Sequence, residues 1–260
     1  GSAQHFEIVI ISDSTQVDPW INESLAVDRL RRELRDIMPV WYRRRWHNTG
    51  RKAGNVEEFV KRWGGRYDYM IVLDADSLMS ADTLVELVRR MQGDAHLGIL
   101  QTVPMLHGHY SLFSRIQQFA GRVYGGVIAR GVATWSGNEG NYWGHNAIIR
   151  VQAFAEACGM PQLPGRKPFG GHVMSHDFVE AALMRRAGWK VRMAPDLDGS
   201  WEESLKEWEV AAGLLLVREA GGFVTDFRGG DRMIERDEFL AANDQIHSKL
   251  HKLIAKAVRV

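Results

Sequence analysis

Two short apolar runs, Phe6–Ile11 and Tyr69–Leu73, each end in carboxylates. Ser12-Asp13-Ser14 follows the first and Asp74-Ala75-Asp76 the second. Continuous apolar runs of this length suit strands buried on both faces, as in parallel sheets covered by helices. The stretches around them carry a helical period. Leu25, Val27, Leu30 and Leu34 recur within Glu23–Ile37, and the amphipathic Val56–Trp63 ends at Gly64-Gly65, which suits a helix C-terminus. Ser80 reads as the N-cap of a helix running to Met91. Leu97–Thr102 reads as a third strand, Leu112–Ala129 as helical, and Tyr142–Ile149 as a mix of aromatic and β-branched residues. Phe178–Ala187 reads as a helix stopped by Gly188, and Val191–Ala194 as a short strand. Strands alternating with helices predict an α/β fold with a mostly parallel sheet flanked by helices.

A chain of 260 residues accommodates one large domain or two small ones. Nine Trp and ten Phe exclude a solvated coil. Lys and Arg total 33 against 32 Asp and Glu, so no global charge attracts nucleic acid, and no nucleic-acid partner is expected. The single cysteine, Cys158, excludes an internal disulfide and any all-cysteine metal site. The longest apolar run, Val210–Val217, falls short of the roughly 18 residues that span a bilayer. No secretory leader is read at the start, and a cytoplasmic location is expected for this chain.

Asp74-x-Asp76 at the end of a buried strand is the strongest chemical signal. Ligands of open α/β sheets sit beyond the carboxyl ends of strands. Two carboxylates there can hold a divalent cation that neutralises a diphosphate, and on an extended strand residues i and i+2 share one side. The same residues also suit a strand-end turn that caps the next helix. Asp13 occupies the matching place after the first strand, where an Asp also serves simple turns. A basic cluster, Arg43, Arg44, Arg45, Arg51 and Lys52, contains no acid. Lys52 can pair with a phosphate and Gly54 can let backbone approach one; a solvated basic loop is the alternative. Ser175-His176-Asp177 precedes a helix, where Asp177 is either a cap or a general base. Tyr142-Trp143-Gly144-His145-Asn146 carries aromatics suited to a sugar platform or to a core. No Gly-x-Ser-x-Gly elbow, Walker A loop, Gly-x-Gly-x-x-Gly turn or His-Glu-x-x-His motif occurs.

Taken in order, several of these blocks resemble the catalytic region of family 2 glycosyltransferases over residues 4–203. They resemble most the bacterial members that build osmoregulated periplasmic glucans. The blocks are Trp41-Tyr42-Arg43-Arg44-Arg45, Lys52-Ala53-Gly54-Asn55, Arg62-Trp63-Gly64-Gly65, Val72-Leu73-Asp74-Ala75-Asp76-Ser77, Gln117-Gln118-Phe119-Ala120, Tyr142 through Arg150, and Ser175 through Trp189. The resemblance implies a GT-A-like fold, a UDP-glucose donor and a growing β-glucan acceptor. It implies that Asp13 contacts the nucleotide, beside the phosphate pairing read for Lys52, that Asp74 and Asp76 hold Mg²⁺ or Mn²⁺ at the diphosphate, and that Asp177 is the base of an inverting transfer. It places the family at the cytoplasmic face of the bacterial inner membrane, held there by segments outside this chain. The family's first strand would precede Gln4, and the Gln-x-x-Arg-Trp motif that the family has after the position of Ser204 does not occur in this sequence.

From about Leu205 onward the chain instead resembles the C-terminal part of inositol monophosphatases. The blocks are Trp208-Glu209-Val210-Ala211-Ala212-Gly213, Glu219-Ala220-Gly221-Gly222-Phe223-Val224-Thr225-Asp226 and Ala241-Ala242-Asn243. Glu209 stands where that family places an aspartate metal ligand. The division expected is therefore 1–204, a glycosyltransferase core, and 205–260, a phosphatase-type helix-strand-helix segment joined to it as a chimera near Ser204. In that segment Leu214–Val217 reads as a helix apolar nearly all round, Phe223–Thr225 as a strand, and Ile246, Leu250, Leu253 and Ile254 as one face of a final helix. A metal-dependent phosphatase and an inactive scaffold remain the alternative functions.

Overall fold

The computed structural model describes residues 2–106, 112–160, 163–166, 170–171, 173, 176–202, 223–232, 240–242, 247–249 and 251–252. In chain order the elements are β1 (Ile8–Ser12), α1 (Val17–Leu34), β2 (Val40–Arg44), α2 (Arg51–Trp63), β3 (Tyr69–Val72), α3 (Ala81–Gly93) and β4 (Leu97–Leu106). Then come α4 (Leu112–Ala120), one π-helical stretch (Gly121–Gly125), α5 (Gly126–Ser136), β5 (Ala147–Arg150), α6 (Val151–Ala157), α7 (His176–Arg186), β6 (Lys190–Glu202), β7 (Phe223–Thr225) and β8 (Leu240–Ala242). Short strands alternating with helices confirm the α/β class, with helices packed on mixed sheets. Among the described residues no helix is long and apolar enough to cross a membrane.

The chain divides into two units. The first comprises Gly1–Ala75, Met79–Val103 and Ala129–Gly199; the second comprises Asp76–Leu78, Pro104–Ile128 and Ser200–Val260.

In the first unit β1 and β2 pair in parallel, Ile8 opposite Val40 and Ser12 opposite Arg44. Helix α1 makes the crossover between them. It turns Val27, Leu30 and Leu34 inward, an i, i+3, i+7 stripe; Leu25, expected on that face, points away and is 60% exposed. Glu23 of α1 accepts hydrogen bonds from Ser12 Oγ at 2.5 Å, from Ser14 Oγ and from Tyr42 Oη at 3.0 Å. Burial pushes its carboxyl up, but these three hydroxyls and Arg44 outweigh it and hold the group below its usual range.

A second sheet has the order β3-β5-β4-β6. The mostly parallel sheet expected from the apolar runs is mixed here, because β5 runs antiparallel to both β3 and β4. Pairing direction depends on the route taken between strands, which apolar runs do not encode. Alternating residues feed two cores. Ile99, Ala147 and Ile149 pack with Val56 and Val60 of α2, Phe154 of α6 and Met184 of α7. Leu100 and Ile148 pack with Leu87 and Met91 of α3. Each such side chain contributes about 1.5–3 kcal/mol of burial. Helix α3 starts as expected, with Ser80 Oγ accepting from Thr83 N at 3.1 Å.

In the second unit β7 and β8 pair antiparallel, Phe223 opposite Ala242. The strand read at Phe223–Thr225 is therefore present. Thr225 Oγ1 lies 3.1 Å from His247 Nε2, and the Asp226 carboxylate caps its own turn by accepting from Arg228 N at 2.9 Å and Gly230 N at 2.7 Å. Ser204, Glu209, Leu214–Val217, Ile246, Leu250, Leu253 and Ile254 lie outside the described residues.

Candidate active site

The parallel register sets the first part of the site. With Ser12 opposite Arg44, the next residues, Asp13 and Arg45, become neighbours. Arg45 Nε donates to Asp13 Oδ1 at 2.7 Å and Nη2 to Oδ2 at 2.6 Å. This forked pair is well shielded, since the Arg45 side chain is 4% exposed. Arg45 also donates to Thr49 O and Arg51 O, both at 3.0 Å, which ties Asp13 to the start of α2. One residue on, the Lys52 ammonium pairs with Asp74 Oδ1. Asp13, Lys52 and Asp74, all in the first unit, thus lie along one run of contacts.

The basic cluster is not a solvated loop. Arg43 bonds Asn55, Arg44 sits between the rings of Trp20 and Trp46 at 4.3 and 4.7 Å, and Arg45 and Lys52 hold carboxylates. Arg43 and Arg44 end strand β2, and Arg51 and Lys52 begin α2. Gly54 was read as a place for backbone to approach a phosphate. The close approach it permits is to the chain itself: a Cβ there would lie 2.1 Å from Thr49 O.

Strand β3 stops at Val72, two residues before Asp74, and Ala75-Asp76 forms a turn. The strand alternation that would put Asp74 and Asp76 on one side therefore does not apply. Asp76 belongs to the second unit, in Asp76–Leu78.

Asp177 stands in the first turn of α7 and is half-buried. The segment Tyr142–Asn146 faces it. Strand β4 holds that segment through two fully buried polar side chains. Gln101 Nε2 donates to His145 O at 3.0 Å, Gln101 Oε1 accepts from Trp143 N at 3.0 Å, and Thr102 Oγ1 donates to Asn146 O at 2.7 Å. The held loop has left-handed backbone at Gly144 (φ +86°) and Asn146 (φ 55°). Tyr142 is 2% exposed, so it is core rather than an open sugar platform. Burial, then the charges of Glu180, Asp74 and Asp177, push its hydroxyl well above the usual phenol value. Tyr142 is thus a protonated hydroxyl in the shared field of Asp74 and Asp177. Sequence reading placed it in the right block without seeing this, because the neighbours come from distant segments. Gln101 and Thr102 were missed altogether. Their signal was two polar residues closing an otherwise apolar strand.

Among the described residues no three His, Cys, Asp or Glu side chains converge as a metal-binding group. The chemistry of the donors still suits a hard divalent cation. Asp74 already holds a cation, the Lys52 ammonium, against one oxygen. A magnesium-type ion commonly takes one or two carboxylates and completes its shell with phosphates and water.

The family model described as Glycosyl transferase family 2 matches residues 2–157, and the Inositol monophosphatase family model matches residues 182–260. The protein named glucans biosynthesis glucosyltransferase H from Xanthomonas oryzae pv. oryzae is 53% identical over 203 residues, covering 78% of this chain and 32% of that one. Its namesake from Bradyrhizobium diazoefficiens is 54% identical over 203 residues, covering 78% and 27%. This chain thus spans about a third or less of the relatives it matches. Among solved structures, S. aureus TarS 1–349 covers 83% of this chain and 56% of that one at 12% identity, with a TM-score of 0.43. Its complex with UDP gives a TM-score of 0.42. With its family model spanning more than half of its length, this chain belongs to glycosyl transferase family 2.

Proposed function

We propose that residues 1–204 form a core that transfers glucose from UDP-glucose to a growing β-glucan with inversion, and that residues 205–260 serve it structurally. The observation that carries the reading is geometric: Arg45 ties Asp13 to the start of α2, Lys52 of that helix pairs with Asp74 beyond the end of β3, and Asp177 lies against the Gly144 loop. The names of the relatives, glucosyltransferases of glucan synthesis, support the same substrate class.

In this reading Asp177 accepts the proton of the acceptor hydroxyl. The freed oxygen bonds to the sugar C1 while the bond from C1 to the diphosphate breaks and UDP leaves. Lys52 lies where it can exchange Asp74 for a phosphate oxygen, and Asp13, braced by Arg45, faces the nucleotide. Asp74 and Asp76 would hold Mg²⁺ or Mn²⁺, which supplies positive charge for the leaving diphosphate. A second reading, a metal-dependent phosphatase, is favoured by the family match at residues 182–260.

A calorimetric UDP titration with and without Mn²⁺ tests the donor side. The Asp74→Asn/Asp76→Asn double variant should lose metal-dependent binding; unchanged binding would refute the assignment. Asp177→Asn should keep UDP affinity and lose roughly 10²- to 10⁴-fold in transfer. Transfer at the parent rate removes Asp177 from the reaction. Phosphate release from inositol monophosphate by the parent would promote the second reading.

A further inference from the structure

Glu180 is a buried carboxylate with no place in the chemistry above. It is 2% exposed and lies in α7 beside the core residues Ala181 and Met184. A carboxylate taken out of water is costly unless it is paired. Its partner is His176, whose Nδ1 lies 3.2 Å from Glu180 Oε1 one turn earlier on the same helix. The His176 side chain is itself only 14% exposed. With Nδ1 donating, the carboxylate accepts, and the pair holds the imidazole ring in one orientation.

The consequence falls on Asp177. At a helix start the backbone N–H groups have no partner within the helix, so side-chain contacts decide how firmly the first turn is held. His176 is the residue before Asp177 and is tied inward by Glu180. On its other side Asp177 meets the Gly144 loop, where a Cβ would lie 3.4 Å from Asp177 Oδ2. The other titratable groups around Glu180 are Tyr142 and Cys158, with Asp74 and Asp177 acting on Tyr142.

We propose that Glu180 is a positioning residue: by taking the Nδ1 proton of His176 it locks the first turn of α7 and fixes the Asp177 carboxylate against Gly144. The catalytic consequence rests on reading Asp177 as the base. The test uses the full chain with ¹⁵N-labelled histidine, and His176→Asn identifies the His176 signal. The parent and Glu180→Gln, whose amide oxygen still accepts, should show the Nδ1–H tautomer; Glu180→Leu should change to Nε2–H. In transfer assays Glu180→Leu should lower kcat on the order of 10- to 100-fold with UDP affinity unchanged, and Glu180→Gln should restore most of it. An Nε2–H tautomer in the parent overturns the proposal. So does a tautomer unchanged in Glu180→Leu, or a parental kcat in that variant. Should Glu180→Leu fail to fold, the parent and Glu180→Gln tautomers decide alone. A parent that binds UDP without transferring overturns the role of Asp177, and one that binds no UDP overturns the donor reading. In both cases the tautomer still settles whether Glu180 locks His176.

Discussion

Gly144 lies directly against Asp177: a Cβ added to it would touch Asp177 Oδ2 at 3.4 Å and Asp177 Cβ at 3.6 Å. The glycine also has φ +86°, a conformation that side chains disfavour. Backbone strain therefore favours glycine here, and an added methyl would sit in van der Waals contact with the proposed base.

Gly144→Ala should accordingly affect stability and transfer differently. The left-handed backbone costs a non-glycine residue about 1–2 kcal/mol, equivalent to a few degrees in Tm. The methyl contact adds a constraint on Asp177 that donor binding does not sense. The expected result is a modest Tm loss, unchanged UDP affinity by calorimetry and a clear fall in transfer. Equal losses in UDP affinity and transfer would show that Gly144 serves the whole loop rather than Asp177.

Gly54→Ala should be the more damaging change to the fold. The added Cβ would lie 2.1 Å from Thr49 O, a backbone atom that also accepts from Arg45. Backbone must move, and overpacking of this kind costs about 1–3 kcal/mol. The shift would loosen the Arg45–Asp13 pair along with α2. Gly65→Ala is the matched control, since nothing lies within 4 Å of its Cβ position. Chemical denaturation should show a lowered midpoint for the first variant and almost none for the second. Similar midpoints for both would mean that the Thr49 turn yields freely.

What the sequence disclosed depended on whether the cause was local. Ser80 caps α3 through its own third neighbour, and the apolar run at β3 needs no partner to be recognised. Strand β2 was hidden because its outer half is Tyr42-Arg43-Arg44, which carries no apolar signal. Arg43 is placed by Asn55 and Arg44 by Trp20, both remote in the chain. The start of α2 at Arg51, five residues before the expected Val56, was obscured by the same polar stretch. At the site, Asp74 and Asp177 were legible as residues, but the Lys52 partner of the one and the Gly144 neighbour of the other come from distant segments. The burial of Glu180 beside His176 had no signal of its own in the sequence.

Acid should weaken the first unit through the carboxylates that fasten β6. Asp94 accepts from Lys190 Nζ at 2.9 and 3.2 Å and pairs with Arg192 at 3.1 Å. Its carboxyl is lowered from 3.8, first by Lys190, with burial opposing and the His96 N–H and Arg192 adding to the lowering. Asp196 is lowered by its forked pair with Arg90, and Glu86 is brought from 4.5 to about 2 by Arg89 and Arg90. Each group thus has a lower pKa folded than unfolded. The unfolded chain binds more protons in the interval, so stability falls as pH falls. The contribution is complete above pH 4.5, the higher of the two unfolded values, and for Glu86 it is gone below about 2. Arg89 is 71% exposed, so its pair with Glu86 contributes little, and the partly buried pairs of Asp94 with Lys190 and Arg192 should dominate. Asp94→Asn should lower Tm at pH 7 and leave a shallower decline between pH 5 and pH 2. Melting curves of the two proteins across that range provide the check. A parent Tm that stays level down to pH 2, or an equally steep decline in Asp94→Asn, would show that these pairs do not hold β6 in place.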